Sequence, residues 1–573
     1  MLKNLIKILD KNILLILSCI LLIVIPLYPK LPLFDIIPGY IVRVRLEDFL
    51  ILLTFLVFLI QVIRKKATLK TPLTKILLAY SVIGFLSVLS GIFITKTIPM
   101  TSVHLLKSFL HYLRYLEYFS LFFVFYSAVK SRKDLKILIY TTVSSFLMVG
   151  IYGLGQKYLY WPVYSTMNRE FSKGIRLYLT DHARVQSTFG GHYDMAAYLV
   201  ILLPIILMLT LSLKNRLTRI FLWFTFALGI WLMVTGAART SFVAVIVSVF
   251  ITILVRSFKE KNLTKKIKFF LSKSIVAGSL ILIIFSGFGD DIRERLFQSL
   301  NSYPLFSQNY IKLSNGIVAG KEFIMMRLDD SNAPDIKIEK PENGLSVDEA
   351  AILVASDIRP TPLKPNDVFV DVPDEIRIAT VSATGKMTTI IIEAPRTYSD
   401  NALKYGLSFA IRLDTLWPQA LSAFYKNPAL GTGYATLTKS EVNEFTEADS
   451  TDNNFLRTLG EIGLLGFITF YGAIVLAIIQ AYKIAFKKNL NIYEKTLDLK
   501  TLLATAFIGS TIGLLINATF IDVFAASKVA LTFWSITGIL FALENIKDLK
   551  KKPVVIKKIR TKVKQGKFKN TAK

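Results

Sequence analysis

Cysteine, histidine and cofactor-binding motifs are scarce in this chain of 573 residues, and each scarcity removes a class of function. The one cysteine, Cys19, can neither form a disulfide within the chain nor build a thiol-rich metal site. The four histidines include no pair spaced i, i+4, so no helical zinc motif is present. The chain also lacks a phosphate-binding GxxxxGKS/T loop, a GxGxxG turn after a strand and a GxSxG nucleophile elbow. We therefore expect a function without a metal or a cofactor.

Long apolar runs are what the sequence has in abundance. Hydrophobic residues make up 53% of the chain, and the mean hydropathy is +0.51. Most runs are long enough to cross the hydrocarbon layer of a membrane as helices. The sequence predicts an all-α polytopic membrane protein with about twelve transmembrane helices. The runs lie near 12–29, 48–63, 73–95, 106–129, 135–156, 195–213, 217–236, 239–255, 271–288, 455–482, 500–519 and 525–544.

The charges predict the orientation of these helices. A net charge of +29 would suggest nucleic acid in a soluble protein, but here the lysines and arginines cluster in alternate connecting segments. That alternation follows the positive-inside rule and puts both termini in the cytoplasm, so we expect no nucleic-acid partner. Lys3, Lys7 and Lys11 precede the first run, which we interpret as a retained helix and not a cleaved signal peptide. The predicted location is the cytoplasmic (inner) membrane.

One outer segment is much longer than the others. It contains short runs of β-forming residues (VFVDV, IRIATVSA and MTTIIIEA) between turn residues, which predict a small β-containing insert near 320–395. Helical spacing of apolar residues returns from 400 to 427. The predicted divisions are 1–288 with about nine helices, an extracytoplasmic loop 289–454, three further helices in 455–545, and a basic cytoplasmic tail 546–573.

Three arginines lie at predicted outer membrane boundaries, in separate parts of the chain: Arg184, Arg239 and Arg412. A single arginine at such a boundary commonly reaches to lipid headgroups, and that reading stays open for each one. Three that converge would instead suit a membrane-embedded anion, because guanidinium groups bind phosphate oxygens in pairs and keep their charge. A lipid diphosphate carries its charge at this depth and is the natural candidate.

An acidic residue lies at the boundary of a later helix. Asp452 is followed by Asn453 and a long apolar run, so it is either a helix N-cap or a general base. In both cases we expect the positive end of the helix to lower its pKa. His192, close in sequence to Arg184, is a rival base or a purely structural histidine.

At these residues the chain resembles the O-antigen ligase and O-antigen polymerase superfamily. The resemblance rests on weak motifs in a shared order around a large outer loop, and it spans most of 40–475. The motifs are VRLEDFLILLTF, RVQSTFGGHYDMAAYLVILLP, VTGAARTSFVAV, RLDTLWPQALSAFYKNPALGTGYAT and DNNFLRTLGEIGLLGFITF.

The resemblance implies a metal-independent, inverting glycosyltransferase. Such enzymes take a glycan from an undecaprenyl diphosphate carrier at the outer face of the membrane and transfer it to a glycan or lipid acceptor. It implies that Arg184 and Arg412 hold the donor diphosphate, with Arg239, Arg43 and Asn453 as further substrate-binding candidates. Membrane lipids are the remaining partners.

Two positions depart from the family pattern. Asp452 stands where the ligases have histidine, and Asp194 where an asparagine is usual. The first departure favours a polymerase or a related polysaccharide enzyme over a ligase. A transporter or flippase of lipid-linked oligosaccharide is the main alternative, and a sensor that binds ligand through 320–395 is another.

Overall fold

The computed structural model describes residues 2–37, 43–167, 170–180, 182–300, 374–381, 387–394, 397–437, 450–487 and 498–546. Helices dominate this part of the chain, and several of their starts carry polar side chains that accept otherwise unsatisfied backbone N–H groups. At the start of α5, for example, Ser131 Oγ accepts the N–H of Asp134. The elements are α1 (Leu2–Leu27), α2 (Leu46–Ile63), α3 (Thr74–Phe93), α4 (Ser102–Ala128), α5 (Arg132–Tyr158), α6 (His192–Ser212), α7 (Arg216–Thr235), α8 (Arg239–Ser257), α9 (Leu263–Phe288), α10 (Asp290–Leu300), β1 (Asp374–Val381), β2 (Met387–Ala394), α11 (Asp400–Tyr405), α12 (Leu407–Ile411), α13 (Trp417–Lys426), α14 (Asn454–Phe486), α15 (Leu499–Asn517) and α16 (Ser527–Ala542).

Ten of the described helices are long and apolar enough to cross a membrane. This confirms the prediction of a helical, multi-pass membrane protein. All twelve predicted runs coincide with helices, but two do not meet the requirement for a span. Charged residues such as Arg114 and Glu117 interrupt α4, and α16 has only 16 residues. The count of twelve spans therefore stays a prediction.

Two central helices organise the bundle. The most apolar windows of α6 and α15 are 89% and 72% buried, whereas that of α9 is only 22% buried. Around this centre, α6 packs against α7, α8 and α15, and α16 packs against α4. Small residues allow α8 and α15 to approach closely: a Cβ on Gly509 would lie 2.6 Å from the carbonyl oxygen of Ser248. Such contacts suit a membrane, where helices associate through close packing.

Contacts between the connecting segments lie at two ends of the bundle. At one end, Asp10 of α1 forms an ion pair with Arg64, which follows α2. At the other end, Lys528 Nζ of α16 donates to the carbonyl oxygen of Tyr28, 2.7 Å away, beyond the end of α1. Segments that the charge pattern assigns to one side therefore meet at one end. Which end faces the cytoplasm stays a prediction.

The long connection between α9 and α14 contains a β-hairpin and several short helices. Strands β1 and β2 pair antiparallel, with Ile376 opposite Ile392. They correspond to two of the three β-forming runs, while the third, VFVDV, lies outside the described residues, as does most of 320–395. A folded insert there stays a prediction. The tail from residue 547 onward also lies outside the described residues.

A turn that precedes α14 in sequence packs into a break within that helix. Gly463 has φ 64° and ψ −169°, a conformation essentially restricted to glycine. The break exposes backbone groups that the turn satisfies: the N–H of Gly433 donates to the carbonyl of Glu461, and the N–H of Leu464 donates to the carbonyl of Pro428. The connection between α9 and α14 is thereby fixed to the helix bundle.

Gly463→Ala should destabilise the protein strongly. Its Cβ would lie 2.6 Å from the backbone nitrogen of Gly431, in a backbone conformation that alanine avoids. We expect a loss of about 2–4 kcal/mol in the free energy of unfolding, seen as a lower melting temperature in detergent. Gly287→Ala is the matched control, because a Cβ there meets nothing within 4 Å. Equal melting temperatures for the two variants would contradict this account of the turn.

Candidate functional site

Asp452 lies in the short segment before α14, and it is not the helix cap. Asn453 has that role, since its Oδ1 accepts the backbone N–H groups of Phe455 and Leu456, each at 3.0 Å. Asp452 itself adopts a positive φ of 50°. Of the two readings left open by the sequence, the N-cap belongs to Asn453, whose amide oxygen is thereby occupied.

Arg412 and Asp452 form an ion pair, with Nη2 of the arginine 2.9 Å from Oδ2 of the aspartate. Their side chains are 13% and 34% exposed. Arg412 begins a five-residue π-helical turn, Arg412–Leu416, between α12 and α13, and such turns are frequent at functional sites. Its Nη1 donates to the carbonyl and hydroxyl oxygens of Ser408, at 2.7 and 3.1 Å. Two residues 40 positions apart in sequence thus present one charged pair.

The prediction that the pKa of Asp452 is lowered is wrong in direction, since the pKa of this carboxyl is raised. Burial raises the pKa of the Asp452 carboxyl above its ordinary value, and the nearby Asp522 carboxylate raises it further. Arg412 and the hydroxyl of Ser450 act in the opposite direction but do not overcome burial. A raised pKa makes Asp452 a stronger base than an ordinary carboxylate.

Asp522, which the sequence reading missed, orders the segment around Asp452. It lies in the connection between α15 and α16. Its Oδ2 accepts the N–H of Thr451 at 3.0 Å and its Oδ1 accepts the N–H of Asn453 at 3.1 Å. Ser450 Oγ lies 2.9 Å from Asp522 Oδ2 and 2.8 Å from Asp452 Oδ1. One carboxylate therefore holds the backbone on both sides of Asp452.

A buried arginine continues this network into α14. Arg457 Nη1 donates to Asp522 Oδ2 at 3.1 Å, and its Nε donates to Glu461 Oε2 at 3.4 Å. The other oxygen of Glu461 accepts the N–H of Ala435 at 3.0 Å, in the segment that follows the helix-break turn. Alternating charges thus compensate one another inside the bundle, as buried ions require. A lone acid between two apolar runs was the sequence signal that could have identified Asp522.

A second cluster contains Arg184 and His192. Arg184 Nη1 donates to His192 Nε2 and lies 3.4 Å from the Tyr193 hydroxyl oxygen, and its guanidinium carbon is 5.9 Å from the centre of the Tyr193 ring. A guanidinium has no acceptor atom, so the imidazole must use its Nε2 lone pair in this contact. His192 is also buried, at 5% exposure. The contact with Arg184 and the burial both make His192 less available than Asp452 as a base.

Arg239 and Arg295 extend this second cluster. Arg239 Nη1 donates to the backbone carbonyl of Arg295 in α10, at 3.1 Å. Burial lowers the pKa of Arg295, and the neighbouring charges of Arg184 and Arg239 lower it further, while Asp291 opposes them. Arg295 therefore lies within electrostatic range of both Arg184 and Arg239. The amphipathic pattern of 290–300 was noted in the sequence, but Arg295 was not singled out.

Contacts connect the neighbourhoods of the two clusters. Next to Arg239 in α8, Ser241 Oγ donates to Asn517 Oδ1 at the end of α15, at 3.1 Å. The N–H of Asn454, two residues after Asp452, donates to the carbonyl of Ala518 at 2.8 Å. The start of α8 and the segment before α14 thus both rest on the end of α15.

Arg43 lies apart from these groups. Its guanidinium is buried and forms an ion pair with Asp35 at 3.2 Å, within the connection between α1 and α2. Asp194 lies in the first turn of α6, close to His192 in sequence. Over the described ranges, no group of three or more histidine, cysteine, aspartate or glutamate side chains is arranged to hold a metal ion.

Comparison of the sequence with protein-family models and with curated proteins gives no match.

Asp522→Asn should cost about 3–5 kcal/mol of stability, because it leaves the buried Arg457 with one carboxylate partner fewer. The loss should appear as a lower melting temperature in detergent. Asp414→Asn is the matched control, since Asp414 is exposed and its hydrogen bonds join only Ser399 and Asn401. If both variants melt like the wild type, Asp522 does not have the structural role described.

Proposed function

We propose that the protein transfers or polymerises a glycan carried on a polyprenyl diphosphate, at the outer face of the cytoplasmic membrane. The observation that carries the proposal is the Arg412–Asp452 pair. It joins a partly exposed carboxylate of raised pKa to a guanidinium, where the outer connection meets α14. A general base beside a fixed cation suits the attack of a hydroxyl on a phosphate-activated sugar. The ordered sequence motifs support the same reading.

The diphosphate would bind at the cluster of Arg184, Arg239 and Arg295. Repulsion among three guanidinium groups is relieved by an anion, and a diphosphate presents several oxygens to them at once. The charges of Arg184 and Arg239 both act on Arg295, and Asp291 opposes them. Arg412 is already paired with Asp452, which suggests a different task for it from that of the other three.

In the proposed reaction, the acceptor hydroxyl attacks the anomeric carbon of the first donor sugar. Asp452 takes the hydroxyl proton as the new C–O bond forms. The bond between the anomeric carbon and the phosphate oxygen breaks, and its electron pair remains on the departing diphosphate. Arg184, Arg239 and Arg295 stabilise that charge, with Arg412 nearest the base. The leaving group departs from the side opposite to the attack, so the anomeric configuration is inverted.

A flippase of lipid-linked oligosaccharide is the second candidate, and one observation favours it. Arg114 Nη1 in α4 lies 2.6 Å from Asp48 Oδ1 in α2 and 2.7 Å from Glu117 Oε2. Ionisable groups within membrane helices commonly mark transport paths. Movement of a labelled lipid-linked glycan across liposomes without any acceptor would favour this candidate over glycan transfer.

Arg412→Ala and Asp452→Asn should each reduce glycan transfer by about a factor of 100 or more, because they remove the charge-stabilising group or the base. Purified protein, a lipid-diphosphate glycan and candidate acceptors are incubated, and the products are sized. A ladder of repeats indicates a polymerase, and a single addition indicates a ligase. Lys404→Ala, an exposed cation on the neighbouring α11, is the control. Normal product from a well-folded Arg412→Ala variant would overturn the proposal.

Arg295→Ala should weaken donor binding, and it should also lower the maximal rate at saturating donor, because Arg295 stabilises the charge of the departing diphosphate. Loss of one charge-assisted contact is worth about 1.5–3 kcal/mol, so the KM for the donor should rise by about 10-fold or more. The measurement is the rate against donor concentration. Arg176→Ala is the matched control, since this exposed arginine precedes α6 and lies outside the cluster. An unchanged KM in Arg295→Ala would remove Arg295 from the donor site.

A further inference from the structure

Ser450 places one hydroxyl between two carboxylates. Its Oγ lies 2.8 Å from Asp452 Oδ1 and 2.9 Å from Asp522 Oδ2, and it accepts the backbone N–H of Asp452 at 3.2 Å. A hydroxyl group has a single hydrogen to donate. With both carboxyl groups ionised, one of the two contacts would bring acceptor oxygens together without a proton between them. One additional proton removes this conflict.

The surroundings decide which carboxyl takes that proton. Asp522, from the α15–α16 connection, accepts two backbone N–H groups and the buried Arg457 of α14, all of which favour its ionised form. Among the described residues, Asp452 forms its ion pair with Arg412 of the π-helical turn. At 34% exposure, the Asp452 side chain can also exchange protons with a molecule at the surface. Asp452 is therefore the member that gains and loses the proton.

We propose that Asp452, Ser450 and Asp522 form a relay that binds one proton, taken up by Asp452. As Asp452 gains it, the new O–H donates to Ser450 Oγ, and the hydroxyl hydrogen of Ser450 turns from Asp452 to Asp522. After uptake, every contact in the group has one hydrogen and one acceptor, whereas before uptake the contact between Ser450 and Asp522 has no hydrogen.

The relay explains how proton uptake and leaving-group stabilisation are linked, a consequence that rests on the proposed function. When the acceptor hydroxyl gives its proton to Asp452, the carboxylate becomes neutral and its ion pair with Arg412 weakens. The guanidinium charge is then uncompensated at the moment when negative charge grows on the departing diphosphate. The charge of Arg412 would thus be compensated by Asp452 before the reaction and available to the diphosphate during it.

Infrared difference spectra of the purified protein, recorded during a pH titration without substrate, test the relay. We expect a carbonyl band from a protonated carboxyl, with a midpoint above the ordinary aspartate value of about 3.9. Because the chain has 40 aspartate and glutamate residues, other carboxyl groups contribute to the same spectral region; the component from Asp452 should be missing in Asp452→Asn and unchanged in Asp414→Asn. Asp522→Asn should lower the midpoint by about one pH unit, because the opposing negative charge is lost.

Substitutions of Ser450 decide the result even if Asp522→Asn does not fold. Ser450→Ala removes the acceptor of the Asp452 O–H, so the band should move to higher wavenumber, and Ser450→Thr should restore it. If the Asp452 component of the band is unchanged in both Ser450 variants, or if it persists in Asp452→Asn, the relay is overturned. Since no substrate is present, these outcomes are independent of whether the protein transfers glycans.

Discussion

The carboxylate of Asp522 is the contact on which the candidate site depends. It accepts backbone hydrogen bonds from both sides of Asp452 and pairs with a buried arginine of α14. These bonds hold Asp452 at positive φ, a conformation that costs free energy for a residue with a side chain. The hydrogen bonds of the neighbouring residues offset this cost and fix the position of the Asp452 carboxylate.

The ionic contacts also explain how the long connection between α9 and α14 is joined to the helix bundle. Glu461 in α14 accepts both from Arg457 and from the backbone N–H of Ala435, just after the helix-break turn. Since the break at Gly463 leaves backbone groups unsatisfied, the turn and the helix complete each other's hydrogen bonds. In a low-dielectric interior, unmade hydrogen bonds cost free energy. These bonds therefore fix the position of the connection at the break in α14.

The two charged clusters have different chemical characters. Arg412 is compensated by Asp452, whereas Arg295 lies within electrostatic range of both Arg184 and Arg239. A base paired with a cation and a separate anion-binding group are the components that the proposed glycan transfer uses. The sequence reading placed Arg412 and Arg184 in one role as diphosphate ligands, and the observed contacts suggest that their roles differ.

The sequence by itself determined the membrane class and the positions of the helices, because apolar runs can satisfy their backbone within a membrane only as helices. It also identified Arg184, Arg239, Arg412 and Asp452, whose charge at a membrane boundary needs a reason. Only the tertiary structure decided which of these residues are partners. It assigned the helix cap to Asn453, reversed the expected pKa shift of Asp452, and added Asp522 and Arg295 to the clusters. These outcomes depend on burial and on contacts between residues distant in sequence, and neither is encoded in local periodicity or charge.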